Sequence, residues 1–125
     1  MENDFSREII GAAVEVQRVL GTGLLESAYC AALAIEFSEQ GIRFQQEAPI
    51  AGTYKGRSLG VAYRADFLVE DFVLIEVKAL DAVNDTHRAQ LLSYLRLTAL
   101  RLGLLVNFHV FPVAPKGIQR VVNRL

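Results

Sequence analysis

The chain has 125 residues, 52% of them apolar, which is enough to build one hydrophobic core. Charged residues make up 22% of the chain and form no long tract, so the composition excludes a disordered protein. The formal net charge is -1, whereas proteins that bind long nucleic acids non-specifically usually carry a basic surplus. A nucleic-acid-binding function would therefore require basic residues clustered on one face.

Cys30 is the only cysteine, which excludes an internal disulfide and a cysteine-rich zinc site. Its Ala-rich surroundings favour a buried structural thiol over a nucleophile. The acidic N-terminus does not resemble a signal peptide, and no apolar run approaches the roughly 20 residues that span a bilayer. We expect a cytoplasmic protein that does not contact a membrane.

Two helices are predicted at the start of the chain. Apolar residues at helical spacing predict the first over residues 5–20 and the second over residues 25–40, with Gly41 as its stop. Alternating polar and apolar residues from Ile42 then predict a strand, which Pro49 and Gly52 are expected to interrupt.

A hairpin turn and two further strands follow. Residues 54–57 predict a hairpin turn, and two strands over 61–69 and 72–79 are joined by a turn at Glu70 and Asp71. The second is almost entirely apolar before Glu76, as is typical of a buried central strand.

The last part of the chain predicts one helix and two strands. The helix covers residues 87–101, with a cap among residues 84–86 (Asn84, Asp85 or Thr86) and a stop at Gly103. Strands over 104–108 and 118–123 complete the order α-α-β-β-β-α-β-β. We expect one α/β domain over residues 1–125, without repeats or linkers.

The predicted chemistry centres on Glu76 and Lys78. Residues two apart in a strand share a face, so both side chains project together from the end of a buried strand. Asp66 lies on the preceding strand, and antiparallel pairing about the intervening turn brings it next to Glu76. Two adjacent carboxylates repel each other unless a divalent cation such as Mg²⁺ lies between them. The same triplet also forms ordinary salt bridges in strands, which is the structural alternative.

Three further side chains are candidates. Gln90 and Tyr94 are four residues apart and lie on one face of the third helix, where a solvent-exposed Gln and a Tyr at the edge of the core are the ordinary alternatives. Glu26 opens the second helix, where the helix dipole alone favours an acidic residue.

These segments together resemble one protein family. Residues 23–29 match the G-x-x-E-x-x-Y signature of the small bacterial GxxExxY proteins. Residues 63–66, 75–78 and 90–94 look like the ordered motifs of the PD-(D/E)XK nuclease superfamily, with the Q-x-x-x-Y helix of its RecB-like branch. The resemblance covers about residues 6–123, and Ala65 replaces the proline of the superfamily's name.

The resemblance implies a restriction-endonuclease-like core, αβββαβ, with a mixed sheet flanked by helices. It implies Mg²⁺ or Mn²⁺ bound by Asp66, Glu76 and the Val77 carbonyl, with Glu26 as an additional acidic ligand. Lys78 would be the catalytic lysine. Gln90 and Tyr94 would line the site, and the substrate would be DNA or RNA.

Two functions remain open at this point. The first is a metal-dependent nuclease that hydrolyses phosphodiester bonds. The second is an inactive nuclease-like fold that acts as a binding or regulatory subunit, as a homo-oligomer or with a protein partner, with residues 106–113 as a possible apolar interface. A small-molecule phosphatase ranks below both, because residues 21–23 lack the features of a phosphate-binding loop.

Overall fold

A five-stranded mixed sheet organises the protein. The computed structural model describes residues 2–124, and the side chains of residues 5–124. The elements follow the predicted order: α1 (Glu2–Leu20), α2 (Glu26–Glu39), β1 (Phe44–Tyr54), β2 (Arg57–Val69), β3 (Val73–Lys78), α3 (Asp85–Thr98), β4 (Leu102–Asn107) and β5 (Ile118–Val122).

The strands lie in chain order, β1-β2-β3-β4-β5, so β3 is the central strand. All neighbours pair antiparallel except β3 and β4, which are parallel and are joined through α3. A parallel pair requires such a crossover, because the chain must return to the end of the sheet from which it started.

Helices cover both faces of the sheet. The larger core packs α1 and α2 against one face, and the smaller packs α3 against the other. Successive residues of β3 alternate between them, with Ile75 in the larger core and Leu74 in the smaller. The α/β fold and the buried central strand are thus as predicted.

The predicted interruption of β1 at Pro49 and Gly52 is wrong. Strand β1 lies at the edge of the sheet, where a proline need not donate a ladder hydrogen bond. Gly52 allows a close approach, since a Cβ there would lie 2.7 Å from a methyl carbon of Leu97 on α3. Irregular register next to Ala51 absorbs the distortion without ending the strand.

The two predicted turns are confirmed. Lys55 and Gly56 connect β1 to β2 with left-handed φ values of 51° and 78°, which suit the twist of a two-residue hairpin. Glu70 and Asp71 turn the chain towards β3, again with left-handed φ.

The predicted cap of α3 is confirmed, whereas its predicted C-terminal end is wrong. Asn84 caps the helix, accepting a hydrogen bond from the amide of His87, so α3 begins at Asp85. The predicted stop at Gly103 is wrong, because the helix ends at Thr98 and is capped by Ala99, which has a left-handed conformation with φ 58°. Gly103 lies in β4, where a Cβ would come within 2.8 Å of Leu91.

No helix within residues 2–124 is long and apolar enough to cross a membrane.

Gln17 holds the connection between β4 and β5 against α1. Its buried amide nitrogen donates to the carbonyls of Phe108 and Val110, at 3.0 and 2.8 Å. Its oxygen accepts from the amide of Val113 at 2.8 Å. One polar side chain therefore satisfies three backbone groups that would otherwise be left without partners inside the protein.

We predict that Gln17→Ala lowers the free energy of unfolding by about 2–4 kcal/mol, because it leaves those backbone groups unpaired. Urea unfolding followed by circular dichroism measures the loss. The control is Arg18→Ala at the neighbouring position, which removes only an exposed ion pair with Glu15 three residues earlier and should leave the midpoint nearly unchanged. Equal midpoints for the two variants would contradict this role for Gln17.

Candidate functional site

The site lies where the pairing between β2 and β3 ends. The last paired residues are Phe67 and Ile75. Beyond them, Asp66 Oδ2 accepts a hydrogen bond from the amide of Val77 at 2.7 Å, and Glu76 Oε1 lies 3.4 Å from the amide nitrogen of Asp66. Carboxylate oxygens thus take the place of the carbonyl oxygens that would accept these hydrogen bonds in a regular strand pair. The structure brings Asp66 and Glu76 together, as predicted from the turn between their strands.

Glu76 is almost completely buried, with 3% of its surface exposed. Its Oε2 accepts a hydrogen bond from the hydroxyl of Tyr63 at 3.0 Å. Burial, and then the charge of Asp66, raise the pKa of Glu76 to about 7, while the Tyr63 hydrogen bond and the charge of Lys78 oppose the rise. An ionised Glu76 is therefore costly in this protein unless a positive charge accompanies it.

Burial also raises the pKa of Asp66, and the charges of Glu26 and Glu47 act in the same direction. The Val77 amide and the charge of Lys78 lower it. Burial thus destabilises the charged form of both candidate carboxylates, and neighbouring negative charges add to this effect.

Asp66 opens into a cleft of about 390 Å³ between α2 and the sheet. The residues that line it are Glu26, Ser27, Cys30, Gln46, Glu47 and Asp66. Burial and the surrounding carboxylates raise the pKa of Cys30 to about 12, so its thiol stays protonated, as a structural thiol should. Glu26 is exposed at the start of α2 and shares this cleft with Asp66.

Glu47 has a strained backbone at this point. Its φ is 52°, a left-handed value in the middle of β1, between the register pairs Gln46–Phe67 and Ala48–Ala65. It therefore lies level with Asp66. Non-glycine residues adopt this conformation at a cost, and such strain is often found at functional sites.

The backbone after Lys78 is fixed by β4. The Lys78 carbonyl accepts a hydrogen bond from the amide of Phe108 at 2.9 Å. The buried side chain of Asn107 accepts from the Leu80 amide at 3.1 Å and donates to the Leu80 carbonyl at 3.0 Å. Lys78 itself is half-buried and takes no part in the ion pairs formed among the described residues. Its ammonium thus stays available beside the carboxylates.

Tyr94 reaches the site through Tyr63. The two rings stack with centroids 4.3 Å apart and planes within 10° of parallel. Because the Tyr63 hydroxyl donates to Glu76, the stack links α3 to the buried carboxylate. Gln90 lies one turn earlier on α3 and is exposed, and none of the hydrogen bonds found for the described residues joins it to the carboxylates.

The tyrosine of the G-x-x-E-x-x-Y segment has a structural role. Tyr29 is fully buried and stacks on Phe108 at 4.5 Å. Its hydroxyl donates to the Gly21 carbonyl at 2.8 Å and accepts from the Leu24 amide at 3.1 Å. It thereby fixes the turn before α2, and so the position from which Glu26 faces the cleft.

Sequence reasoning did not identify Tyr63, Glu47 or Asn107 as parts of this region. Tyr63 stands three residues before Asp66, but its partner Tyr94 comes from another element, and no periodicity links them. A glutamate does not indicate a left-handed backbone, so the conformation of Glu47 could not be predicted from the sequence. Asn107 is the last residue of the otherwise apolar strand β4, and a polar residue at that position was the only signal in the sequence.

The family follows from comparison of the whole chain. A sequence model of the PD-(D/E)XK nuclease superfamily matches residues 3–121. The chain belongs to this superfamily. No curated protein and no solved structure matches it. The mixed sheet flanked by helices is the restriction-endonuclease-like fold expected of a PD-(D/E)XK protein.

PD-(D/E)XK nucleases generally use divalent metal ions. Within the described residues, no three His, Cys, Asp or Glu side chains stand in an arrangement that would already hold an ion. The chemistry of the donors nevertheless fits one, since Asp66 and Glu76 offer hard oxygen ligands and Mg²⁺ needs only one or two carboxylates from the protein. Glu26 and Glu47 add carboxylates along the same cleft.

We predict that Glu76→Gln stabilises the metal-free protein at about pH 8, by up to about 3 kcal/mol. In the wild type, the folded carboxyl holds its proton up to about pH 7, whereas the unfolded one loses it near 4.5, so stability falls as pH rises between these values. The neutral amide removes this dependence, and the gain should shrink as pH falls towards 4.5.

Thermal unfolding in a chelating buffer at several pH values measures this effect. Glu39→Gln at the exposed end of α2 controls for the loss of one negative charge. A Glu76→Gln variant that melts below the wild type at alkaline pH would contradict the raised pKa of Glu76.

Proposed function

We propose that the protein is a divalent-metal-dependent nuclease that hydrolyses phosphodiester bonds of DNA or RNA. The observation that supports this most directly is the pair of carboxylates, Asp66 and Glu76, held together at the end of a buried strand with Lys78 beside them. Membership of the PD-(D/E)XK superfamily supports the reaction class.

Asp66, Glu76 and the Val77 carbonyl would hold Mg²⁺ or Mn²⁺, with Glu26 as a further acidic ligand. The contact now present between Asp66 and Val77 uses the Val77 amide, so the carbonyl ligand stays a prediction. A bound divalent ion supplies Lewis-acid polarisation of the phosphoryl group and lowers the pKa of a bound water.

The remaining roles fall to side chains of this chain. Lys78 would stabilise the negative charge that develops on the phosphoryl oxygens, and its backbone is held in place for this by β4. Tyr63 orients Glu76 through its hydrogen bond, and Tyr94 supports Tyr63 by stacking. Gln90 would face the substrate from the exposed surface of α3. The expected cytoplasmic location stays a prediction.

We predict that Asp66→Asn, Glu76→Gln and Lys78→Ala each lower cleavage of DNA or RNA about a hundredfold or more, since each removes charge from the reacting centre. A gel assay with end-labelled DNA and RNA, in Mg²⁺ or Mn²⁺ and with a chelator blank, measures this. Asp71→Asn removes an exposed carboxylate in the turn before β3 and is the matched control. Cleavage that survives in Glu76→Gln would exclude the proposed mechanism.

The alternative function is an inactive nuclease-like fold used as a binding or regulatory subunit. It is favoured by the absence, among residues 5–124, of a preformed group of metal ligands and by the near-neutral net charge. It predicts that the same variants leave the protein's behaviour unchanged, and that the wild type binds a protein partner or a second copy without cleaving nucleic acid.

A further inference from the structure

The charges of the chain are segregated along the sequence. Residues 48–65 contain three Lys or Arg and no Asp or Glu, and residues 86–125 contain six Lys or Arg and no Asp or Glu. All 14 acidic residues therefore fall in the other two segments, 1–47 and 66–85. The near-zero net charge is thus the sum of a basic part and an acidic part of the molecule.

The fold places the two basic segments together. Residues 48–65 form most of the β1–β2 hairpin, and residues 86–125 include nearly all of α3. The hairpin packs against α3, with Gly52 under Leu97 and with Tyr63 stacked on Tyr94. The stack of Tyr63 on Tyr94 borders Glu76 directly, since Tyr63 donates its hydroxyl hydrogen to that carboxylate.

The hairpin presents exposed side chains along its length. Every residue from Thr53 to Ala62 is exposed, including Lys55 and Arg57 at the turn. Tyr54 is also exposed there and carries the Lys55 ammonium 5.4 Å from its ring centre. Arg96 is exposed on α3, one residue before the contact with Gly52.

We propose that the surface formed by Lys55, Arg57 and Arg96, here called the basic rim, binds the phosphate backbone of a nucleic acid whose reacting phosphate lies at Asp66 and Glu76. This inference rests on the proposed nuclease function and adds the surface that holds the substrate. Charge complementarity carries it, because a polyanion is attracted to a surface built from segments that contain basic and no acidic residues.

The length of the hairpin limits how far from the reacting phosphate the rim can contact the nucleic acid. At about 3.3 Å per strand residue, Arg57 lies at most roughly 20 Å along β2 from Tyr63. Each strand of a duplex carries one phosphate per about 3.4 Å, so the rim reaches the substrate at most about six nucleotides from the position of Tyr63, which borders Glu76. Shorter substrates should not benefit from it.

The test compares two double charge reversals of equal size. Lys55→Glu/Arg57→Glu changes the rim, and Arg18→Glu/Arg43→Glu changes two exposed arginines in the acidic part of the chain. Fluorescence anisotropy with a labelled DNA of about 24 nucleotides, as duplex and as single strand and in a chelating buffer, measures binding against salt concentration.

We expect the rim variant to lose at least about tenfold in affinity and its salt dependence to fall by roughly two in the slope of log K against log salt. The control variant should bind as the wild type does. Arg96→Glu should weaken binding in the same direction. Equal losses in both double variants, or none in either, would overturn the proposal.

A small phosphodiester separates this inference from the proposed function. Hydrolysis of bis(4-nitrophenyl) phosphate uses the metal site without reaching the rim, so the rim variant should retain wild-type rates with it while losing cleavage of the long DNA. Hydrolysis of the small ester without any binding of DNA or RNA would overturn the rim and leave the metal site standing. Binding of DNA without hydrolysis of either substrate would overturn the proposed nuclease function and support the basic rim.

A second copy of the chain is the competing occupant, since its acidic part has the complementary charge. Sedimentation analysis at low salt measures self-association. A wild-type dimer that the rim variant abolishes, together with unchanged DNA binding, would overturn the proposal in favour of an interface between copies.

Discussion

The placement of a buried Glu76 beside a half-buried Asp66, at the break between β2 and β3, is the constraint on which the rest of the structure depends. Asp66 and Glu76 occupy positions where a regular ladder would continue, and their oxygens accept backbone hydrogen bonds instead. This arrangement gives each carboxylate one fixed contact and leaves their mutual repulsion in place. Burial and then the charge of Asp66 raise the pKa of Glu76 to about 7, and the positive charge of Lys78 offsets only part of this rise. A divalent cation would remove the remaining repulsion.

Other features of the fold hold this arrangement in place. The parallel pairing of β3 with β4 buries the strand that carries Glu76 and lets Asn107 anchor the backbone beyond Lys78. Tyr29 closes the turn before α2 and thereby directs Glu26 towards the cleft. The left-handed residue Glu47 distorts β1 at the level of Asp66. Stability elsewhere, such as the buried contacts of Gln17, compensates for a site that is unfavourable in the absence of metal.

The sequence predicted the order of all eight elements because hydrophobic period and turn residues are local signals. Its errors came from tertiary contacts. Pro49 and Gly52 were predicted to interrupt the strand. The edge position of β1 accommodates Pro49, and the close approach of Leu97 requires a glycine at position 52. Gly103 was predicted to end the third helix, but it lies in β4, where the side chain of Leu91 occupies the space that a Cβ would take. Within the site, the proximity of Asp66 and Glu76 could be predicted from the turn between their strands. The Tyr63–Tyr94 stack and the strain at Glu47 could not, because both depend on how distant elements pack.

The most direct test of the central claim is isothermal titration of Mn²⁺ into the wild type and Glu76→Gln at about pH 8, where the Glu76 carboxyl is ionised. If Asp66 and Glu76 together form a metal site, the wild type will bind Mn²⁺, and the variant will lose that binding although it folds more stably. A wild type that binds no Mn²⁺ at millimolar concentration, or a variant that binds it equally well, would contradict the claim.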